Sequence, residues 1–310
     1  MHATEAVLLS APRALAVEGL ALRDPAPGEA TVAVRHSGVS TGTERLLWEG
    51  RMPAFPGMGY PLVPGYEAVG EVVEPAPGGA LRAGARVFVP GASCFEGARG
   101  LFGASAAHLR VPEARLVPTA IAGPEATLLA LAATARHALA GPGPLPSLVV
   151  GHGTLGRLVA RLIVAAGGEP VVWEANPARR DGAEGYAVVA PEDDASGPHA
   201  RVLDASGDAS VIDRLMGRLK RGGEIVLAGF YAEPLSFAFP PAFLREARIR
   251  VAAEFAPADL LAARALVEEG HLSLGGLVTH EAPAREAPAA YATAFGDPAC
   301  LKMILDWSRA

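Results

Sequence analysis

A glycine-rich hexapeptide is the part of the sequence whose spacing best suits ligand binding. Gly151, Gly153 and Gly156 follow the pattern Gly-x-Gly-x-x-Gly, with Thr154 and Leu155 before the last glycine. The first glycine of such a run makes a tight turn, the second lets backbone N–H groups approach a pyrophosphate, and the third lets a helix pack closely on a strand. We predict that these five residues bind a dinucleotide. The alternative is a turn that joins a strand to a helix without a ligand.

The residues on either side of this turn have the pattern of a nucleotide-binding unit. A short apolar run precedes it, and apolar residues at helical spacing follow it. Glu174 ends the next apolar run, 18 residues beyond the last glycine, where a carboxylate accepts hydrogen bonds from the ribose of NAD and repels the 2′-phosphate of NADP. NAD is the predicted cofactor. Arg179 and Arg180 follow and could instead neutralise a 2′-phosphate, which leaves NADP as the alternative.

Two further apolar runs end in residues that suit cofactor contact. Ala205 and Ser206 follow one run, and Gly229 and Phe230 follow the other. Ligands of parallel sheets bind at the carboxyl ends of the strands, so these four residues are predicted to contact the cofactor. Either pair could otherwise be a plain turn. His152, inside the glycine turn, is expected to touch the phosphates or to face solvent.

The elements that must position these residues are of two kinds. Short β-like runs separated by proline and glycine lead to a helical run at 124–139, and from residue 148 apolar strands alternate with helix-length segments. The alternation predicts a parallel sheet with right-handed crossovers. We predict an α/β protein with a doubly wound Rossmann domain at 121–255 and a β-rich domain built from 1–120 and 256–310, the two sharing a cleft.

Composition argues against several classes of function. The net charge is −6 and the arginines are scattered, so no nucleic-acid partner is expected. The sequence shows no signal peptide and no uncharged apolar run long enough to span a bilayer, so no stable membrane insertion is expected. The two cysteines, Cys94 and Cys300, form neither a disulfide framework nor a metal knuckle, and a cytoplasmic location is expected.

The order of these regions resembles the medium-chain dehydrogenase/reductase superfamily. A β-rich region containing Pro-Gly-Tyr-Glu-Ala-Val-Gly at 64–70 precedes the dinucleotide unit, and a C-terminal return follows it. The resemblance implies a GroES-like catalytic domain. In zinc-dependent members two cysteines and a histidine hold the catalytic metal, and here the corresponding places hold Ser40, Tyr66 and Ala130. A hydroxyl, a phenol and a methyl group cannot replace those ligands, so no metal is expected.

Three segments carry a closer resemblance. These are Ser-Gly-Val-Ser-Thr-Gly-Thr-Glu at 37–44, the run from 48 to 67 that opens Trp-Glu-Gly-Arg-Met-Pro, and residues 229–240. They are similar to the 3-hydroxyethyl bacteriochlorophyllide a dehydrogenases of bacteriochlorophyll biosynthesis. The resemblance implies that a 1-hydroxyethyl group on a chlorin is oxidised to acetyl, with NAD as hydride acceptor. Two alternatives are a zinc-free quinone or enone reductase that uses NAD(P)H, and a non-catalytic dinucleotide-binding protein.

Without zinc, side chains must take the proton of the alcohol. Tyr66 is the first candidate for a residue that relays this proton. The alternative is that Tyr66 fills the core and that its hydroxyl donates to a backbone carbonyl. Glu67, acidic in an apolar stretch, is a candidate base, or it bridges the two domains through a salt bridge or backbone N–H groups. Ser40, Thr41 and Thr43 could pass the proton on, or they are turn residues that bond their own backbone.

A large, flat, apolar chlorin needs a wide mouth with aromatic and thioether surface. The segment 46–60 offers Phe55, Met58 and Tyr60, and Arg51 could pair with a propionate of the macrocycle. The alternative is that these residues close a core. A homodimer is also predicted, because the apolar run at 249–253 lies where superfamily dimers continue one sheet into the next.

Overall fold

The computed structural model describes residues 3–54, 56–231 and 233–309. The chain divides into two compact units, one formed by Met1–Ala130 with Gly275–Ala310 and the other by Leu131–Leu274. The predicted divisions, near residues 120 and 255, thus lie 10 and 19 residues before the observed ones. The predicted α/β fold is confirmed, because a parallel sheet forms in one unit and mixed sheets form in the other.

The N-terminal part of the first unit is β-rich. Its described residues include the short α-helix α1 (Thr43–Glu49), which ends at Gly50 in the left-handed conformation that favours glycine. Its strands are β1 (Ala3–Ala11), β2 (Ala14–Ala21), β3 (Glu29–Val39), β4 (Leu62–Val63), β5 (Ala68–Glu74), β6 (Arg86–Val89), β7 (Arg99–Gly100), β8 (His108–Pro112) and β9 (Val117–Pro118). A four-stranded sheet has the order β2-β1-β4-β7.

The second unit is a six-stranded parallel sheet with the order β12-β11-β10-β13-β14-β15. Its strands are β10 (Leu148–Val150), β11 (Val171–Trp173), β12 (Ala187–Val189), β13 (His199–Asp204), β14 (Leu219–Leu227) and β15 (Arg248–Val251). Its helices are α2 (Leu129–Leu139), which begins two residues before the unit, α3 (Thr154–Ala165), α4 (Ile212–Arg218), α5 (Phe239–Leu244) and α6 (Pro257–Glu268). Strands β10 and β11 are apolar throughout, as is typical of parallel strands that are covered on both faces.

The C-terminal segment returns to the first unit. It contributes β16 (His280–Pro283), α7 (Ala287–Gly296) and β17 (Met303–Asp306). Strand β17 pairs with β3 in a sheet of order β16-β17-β3-β5-β6-β9, to which β8 is joined through β3. Tyr291 and Trp307 from this return are buried in the core of the unit. The return therefore belongs to the β-rich unit.

No helix within the described ranges combines the length and the apolar character needed to cross a membrane.

Candidate active site and dinucleotide turn

The glycine turn leaves open space at the start of α3. Gly151 follows β10 with a φ of +92°, which favours glycine. A Cβ added to Gly156 would lie 1.8 Å from the carbonyl oxygen of Gly151, so strand and helix approach each other closely. A Cβ added to Gly153 would meet nothing within 4 Å. Thr154 and Leu155 lie in the first turn of α3, the end at which an α-helix presents its backbone N–H groups. The turn fits a pyrophosphate.

Glu174, directly after β11, contacts the glycine turn. One carboxylate oxygen accepts the N–H of His152 at 2.9 Å and the other accepts the N–H of Asn176 at 2.8 Å. Each oxygen has a second lone pair with which it can accept a ribose hydroxyl. The structure therefore places the Glu174 carboxylate against the glycine turn.

The two arginines after Glu174 differ in their environment. Arg180 donates from Nε to the carbonyl of Glu174 at 2.9 Å and from Nη2 to the carbonyl of Ala175 at 3.1 Å. Arg179 ends a short 3₁₀ turn, Pro177–Arg179, and is half-buried. The Arg180 guanidinium therefore binds backbone carbonyls at the end of β11.

His152 does not have either of its expected environments. Its side chain is fully buried, with Nδ1 2.6 Å from the carbonyl oxygen of Arg179 and Nε2 2.9 Å from the hydroxyl of Tyr186. Burial lowers the pKa of His152 to about 4, so the ring is neutral. A carbonyl only accepts, so Nδ1 donates to Arg179 and Nε2 accepts from Tyr186. The prediction that this ring touches phosphates or faces solvent is wrong.

The other predicted cofactor residues lie at the ends of β13 and β14. The backbone N–H of Ala205 donates to the carbonyl of Val150 at 2.9 Å. Ser206 lies close to the glycine turn, since a Cβ added to Gly151 would be 3.1 Å from the Cα of Ser206. Gly229 lies against this loop, since a Cβ there would be 2.5 Å from the N of Gly207. Phe230 follows with half of its surface exposed. These loops and the glycine turn share one edge of the sheet.

A buried carboxylate that the sequence analysis did not identify holds this edge. Asp204 is fully buried and accepts the hydroxyl of Ser206 at 2.6 Å and the hydroxyl of Tyr231. Burial raises the pKa of Asp204 above its ordinary value. Its position directly after the apolar residues Val202 and Leu203 was the signal that could have identified it.

In the β-rich unit, three predicted catalytic residues meet. The phenol of Tyr66 donates to Oγ of Ser40 at 2.9 Å, and the backbone N–H of Thr43 donates to the same oxygen at 3.3 Å. The Thr43 side chain also interacts with the phenol. Burial raises the pKa of Tyr66 well above its ordinary value, so the phenol keeps its proton at neutral pH. The partner of Tyr66 is a side-chain hydroxyl and not the backbone carbonyl expected of a core-filling tyrosine.

Glu67, next to this cluster, forms a buried ion pair. Its Oε2 lies 2.6 Å from Nζ of Lys302, which also donates to the carbonyl of Val39 at 3.4 Å. The two side chains are 1% and 2% exposed. Oε1 of Glu67 is buried without a hydrogen-bond partner among the described residues. Both members belong to one unit, so the alternative of a bridge between the two domains is wrong.

Glu44 is a further acidic residue of this cluster that the sequence analysis missed. It is 1% exposed, and its carboxylate accepts the N–H of Ser40 at 3.2 Å and the hydroxyl of Tyr291. Burial raises the pKa of Glu44 to about 7. The signal available in the sequence was an acidic residue beside the predicted Thr43.

The segment predicted to contact substrate lies beside an apolar cluster of the β-rich unit. Met58 and Tyr60 pack against that cluster, and the Tyr60 hydroxyl donates to the carbonyl of Leu47. Arg51 is exposed and lies 3.2 Å from the Glu49 carboxylate. Phe55 lies outside the described residues. Tyr60 therefore has the satisfied hydroxyl of a core residue, while Arg51 is at the surface.

The donor atoms around Ser40 do not suit zinc. Ser40 and Tyr66 are hydrogen-bonded to each other, and Ala130 offers only a buried methyl group. Tetrahedral zinc sites use thiolate, imidazole and carboxylate ligands. Within residues 3–54, 56–231 and 233–309, no group of three or more such side chains is placed to hold a metal.

The sequence is similar to a known domain family and to two known enzymes. Residues 26–121 match the alcohol dehydrogenase GroES-like domain. The chain is 59% identical to the 2-desacetyl-2-hydroxyethyl bacteriochlorophyllide A dehydrogenase of Rhodobacter capsulatus, over 99% of each chain. It is also 59% identical to the enzyme of that name from Cereibacter sphaeroides, over 98% of each chain.

Structural comparison supports the fold independently. An alcohol dehydrogenase of Escherichia coli CFT073 complexed with NADH superposes with a TM-score of 0.84 at 19% identity, over 99% of this chain and 100% of that one. A dehydrogenase of Sinorhizobium meliloti 1021 bound to NADP gives 0.81 at 21% identity, over 99% and 100%. At these identities the likeness is one of fold.

Proposed function

Because the chain belongs to the family of the 2-desacetyl-2-hydroxyethyl bacteriochlorophyllide A dehydrogenases, we propose that it oxidises the hydroxyethyl group of a bacteriochlorophyllide to an acetyl group. It is an alcohol oxidoreductase of the medium-chain dehydrogenase/reductase superfamily that uses a nicotinamide dinucleotide. The observation that carries the proposal is 59% identity over 99% of both chains, which includes the segments around Ser40, Tyr66 and Gly229.

The glycine turn and Glu174 are proposed to hold NAD. Open space beside Gly153 suits the pyrophosphate, and the Glu174 carboxylate beside it suits the ribose hydroxyls. The negative charge of Glu174 favours NAD over NADP, because it repels a 2′-phosphate. Titration calorimetry of the purified protein with each dinucleotide tests this. NADP binding as tightly as NAD would contradict it.

The bound nicotinamide would accept the hydride of the secondary alcohol, and the chain itself must handle the hydroxyl proton. We assign the substrate oxygen to the Tyr66, Ser40 and Thr43 hydroxyls, which already hydrogen-bond one another. A protonated phenol serves as a donor to the oxygen as negative charge develops there. Glu67, with one oxygen free of a hydrogen-bond partner among the described residues, is the proposed base that accepts the hydroxyl proton, which these hydroxyls pass on to it.

Two conservative variants test this assignment. Tyr66→Phe removes only the hydroxyl, and its loss is expected to lower kcat about 100-fold with little effect on NAD binding. Glu67→Gln keeps the shape of the side chain and removes its charge. Unchanged turnover and normal NAD affinity in both variants would remove these residues from the reaction.

We also propose that the reaction proceeds without catalytic zinc. The support is the donor set, since hydroxyls and a methyl group stand where the zinc-dependent relatives have thiolates and an imidazole. Metal analysis after exhaustive dialysis is expected to find no stoichiometric zinc. One retained equivalent per chain would refute this part of the proposal.

The decisive assay is reduction of NAD by a 3-(1-hydroxyethyl) bacteriochlorophyllide. Formation of the acetyl product together with NADH is expected. If no NADH forms in this assay and the protein instead reduces a quinone with NADPH, the result would support a reductase. Tight NAD binding with no oxidation of the chlorin would support a non-catalytic dinucleotide-binding protein.

A further inference from the structure

Arg157, at the start of α3 and directly after the last glycine of the turn, is a buried cation bound to backbone carbonyls. Its side chain is 5% exposed. Nε donates to the carbonyl of His152 at 3.0 Å, and Nη1 donates to that of Gly182 at 3.1 Å. Nη2 donates to the carbonyls of Arg179 at 3.0 Å and Asp181 at 2.6 Å. One guanidinium therefore joins the glycine turn to the segment 179–182.

Two further side chains connect the same parts of the chain. His152 donates from Nδ1 to the carbonyl of Arg179 and accepts the Tyr186 hydroxyl at Nε2, and the two rings meet edge to face. Gly182 allows the close approach of Arg157, since a Cβ there would lie 2.5 Å from Nη1. We call Arg157, His152 and Tyr186 the carbonyl clamp.

The clamped segment has little regular structure of its own. Between β11 and β12 its single regular element is the 3₁₀ turn Pro177–Arg179. The carbonyls of an irregular segment need donors when they are buried, and here buried side chains of the glycine-turn region provide them. The clamp thus decides where the backbone after Glu174 runs relative to the turn.

We propose that the carbonyl clamp is a positioning device that sets the affinity for the adenosine half of the dinucleotide and the preference for NAD over NADP. The Arg157 guanidinium donates to the carbonyls of both His152 and Arg179, and the backbone N–H of His152 in turn donates to the Glu174 carboxylate. A binding site that is ordered before the ligand arrives loses less entropy on binding. This inference rests on the proposed binding of a dinucleotide.

The test compares three clamp variants with a matched control. Arg157→Ala removes all four donations, Arg157→Lys restores part of them, and Tyr186→Phe removes one hydroxyl. Arg201→Ala is the control, because Arg201 is also buried (2% exposed), also donates to backbone carbonyls and pairs with Glu224 at 2.7 Å. It belongs to the same unit and contacts no clamp residue in the described hydrogen bonds.

Three readouts separate positioning from general stability. Hydrogen exchange without cofactor is expected to accelerate in 176–186 in Arg157→Ala and to stay unchanged there in Arg201→Ala. The Kd of NAD is expected to rise about tenfold in Arg157→Ala, less in Arg157→Lys and Tyr186→Phe, with kcat at saturating NAD within about twofold of wild type. The ratio of the Kd values for NADP and NAD is expected to fall in Arg157→Ala.

Several outcomes would overturn the inference. These are a Kd for NAD in Arg157→Ala within about twofold of wild type, unchanged exchange in 176–186, or an equal loss of NAD affinity in Arg201→Ala. If Arg157→Ala fails to fold, Arg157→Lys and Tyr186→Phe decide by the same criteria. Failure of the proposed dinucleotide binding is distinguishable, because the wild-type protein itself would then bind neither dinucleotide, and the inference would fall with it. Failure of chlorin oxidation alone would leave the NAD affinities of the variants measurable and the inference open to the same test.

Discussion

The carboxylate of Glu67 and the ammonium of Lys302 lie 2.6 Å apart with almost no exposure to solvent. Lys302→Met leaves the Glu67 charge buried without its cation, which is expected to destabilise the protein by about 3–5 kcal/mol. Replacing both partners, as in Glu67→Leu with Lys302→Leu, should restore part of that loss. Urea denaturation measures both. Arg221→Ala, which breaks the exposed pair with Glu246, is the control and should change nothing measurable.

The glycine turn gives a prediction that separates ligand binding from folding. Gly153 has a φ of −74° and open space around its missing Cβ, so Gly153→Ala should retain wild-type stability within about 1 kcal/mol. The added methyl group occupies space proposed for the pyrophosphate, so NAD affinity should fall about tenfold or more. Thermal unfolding and calorimetry measure the two effects.

Gly156→Ala is the matched comparison for that variant. Its methyl group would overlap the carbonyl of Gly151, and the fold should lose about 1–3 kcal/mol. Gly153→Ala binding NAD as wild type does would remove the pyrophosphate from this space.

The buried carboxyl of Glu44 should make the free energy of unfolding depend on pH. Burial raises the pKa of Glu44 from its ordinary value of 4.5 to about 7 in the folded protein, so the folded state holds the proton more tightly. Its contribution to stability is complete below pH 4.5 and is lost as the pH rises through about 7. Glu44→Gln removes this titration while keeping an acceptor for Tyr291. The variant should therefore gain stability relative to wild type between pH 5 and pH 8, on the order of 2–3 kcal/mol.

Urea denaturation of both proteins at several pH values checks this expectation. Parallel stability profiles for wild type and Glu44→Gln would show that Glu44 does not titrate in this range.

Glu174 should determine which dinucleotide binds. Glu174→Gln removes the charge that repels a 2′-phosphate, so the preference for NAD over NADP should fall about tenfold. Glu169→Gln, at an exposed acidic residue of the same unit, is the control and should bind both dinucleotides as wild type does. An unchanged ratio of the two Kd values in Glu174→Gln would assign the preference to other residues.

The predicted homodimer has a candidate surface in the second unit. Strand β15 is at one end of the sheet order, and Val251 on it is 72% exposed. Phe239 and Phe243 of α5 are each 66% exposed. Exposed edge strands and apolar patches of this kind mark association surfaces. Sedimentation is expected to find a dimer in wild type and a monomer in Val251→Lys with Phe243→Glu. A wild-type monomer at micromolar concentration would refute the prediction.

Local patterns in the sequence determined the elements of the nucleotide-binding unit. The glycine spacing predicted the turn at Gly151, and the last residue of an apolar run predicted the place of Glu174. Both predictions depend on neighbours within one strand, turn and helix, whose geometry follows from residue type and spacing. The prediction that Ser40 and Tyr66 replace zinc ligands likewise rests on residue type.

Only the tertiary structure decided how the buried polar groups are paired. Lys302 reaches Glu67 across 235 positions and Tyr291 reaches Glu44 across 247, distances over which a sequence pattern carries no information on partners. His152 shows the same limit, because its position in the turn suggested phosphate contact while packing turned it towards Tyr186. Polar groups removed from water must find donors and acceptors wherever the fold places them. The sequence therefore determined which residues are available, and the three-dimensional packing determined their partners and charge states.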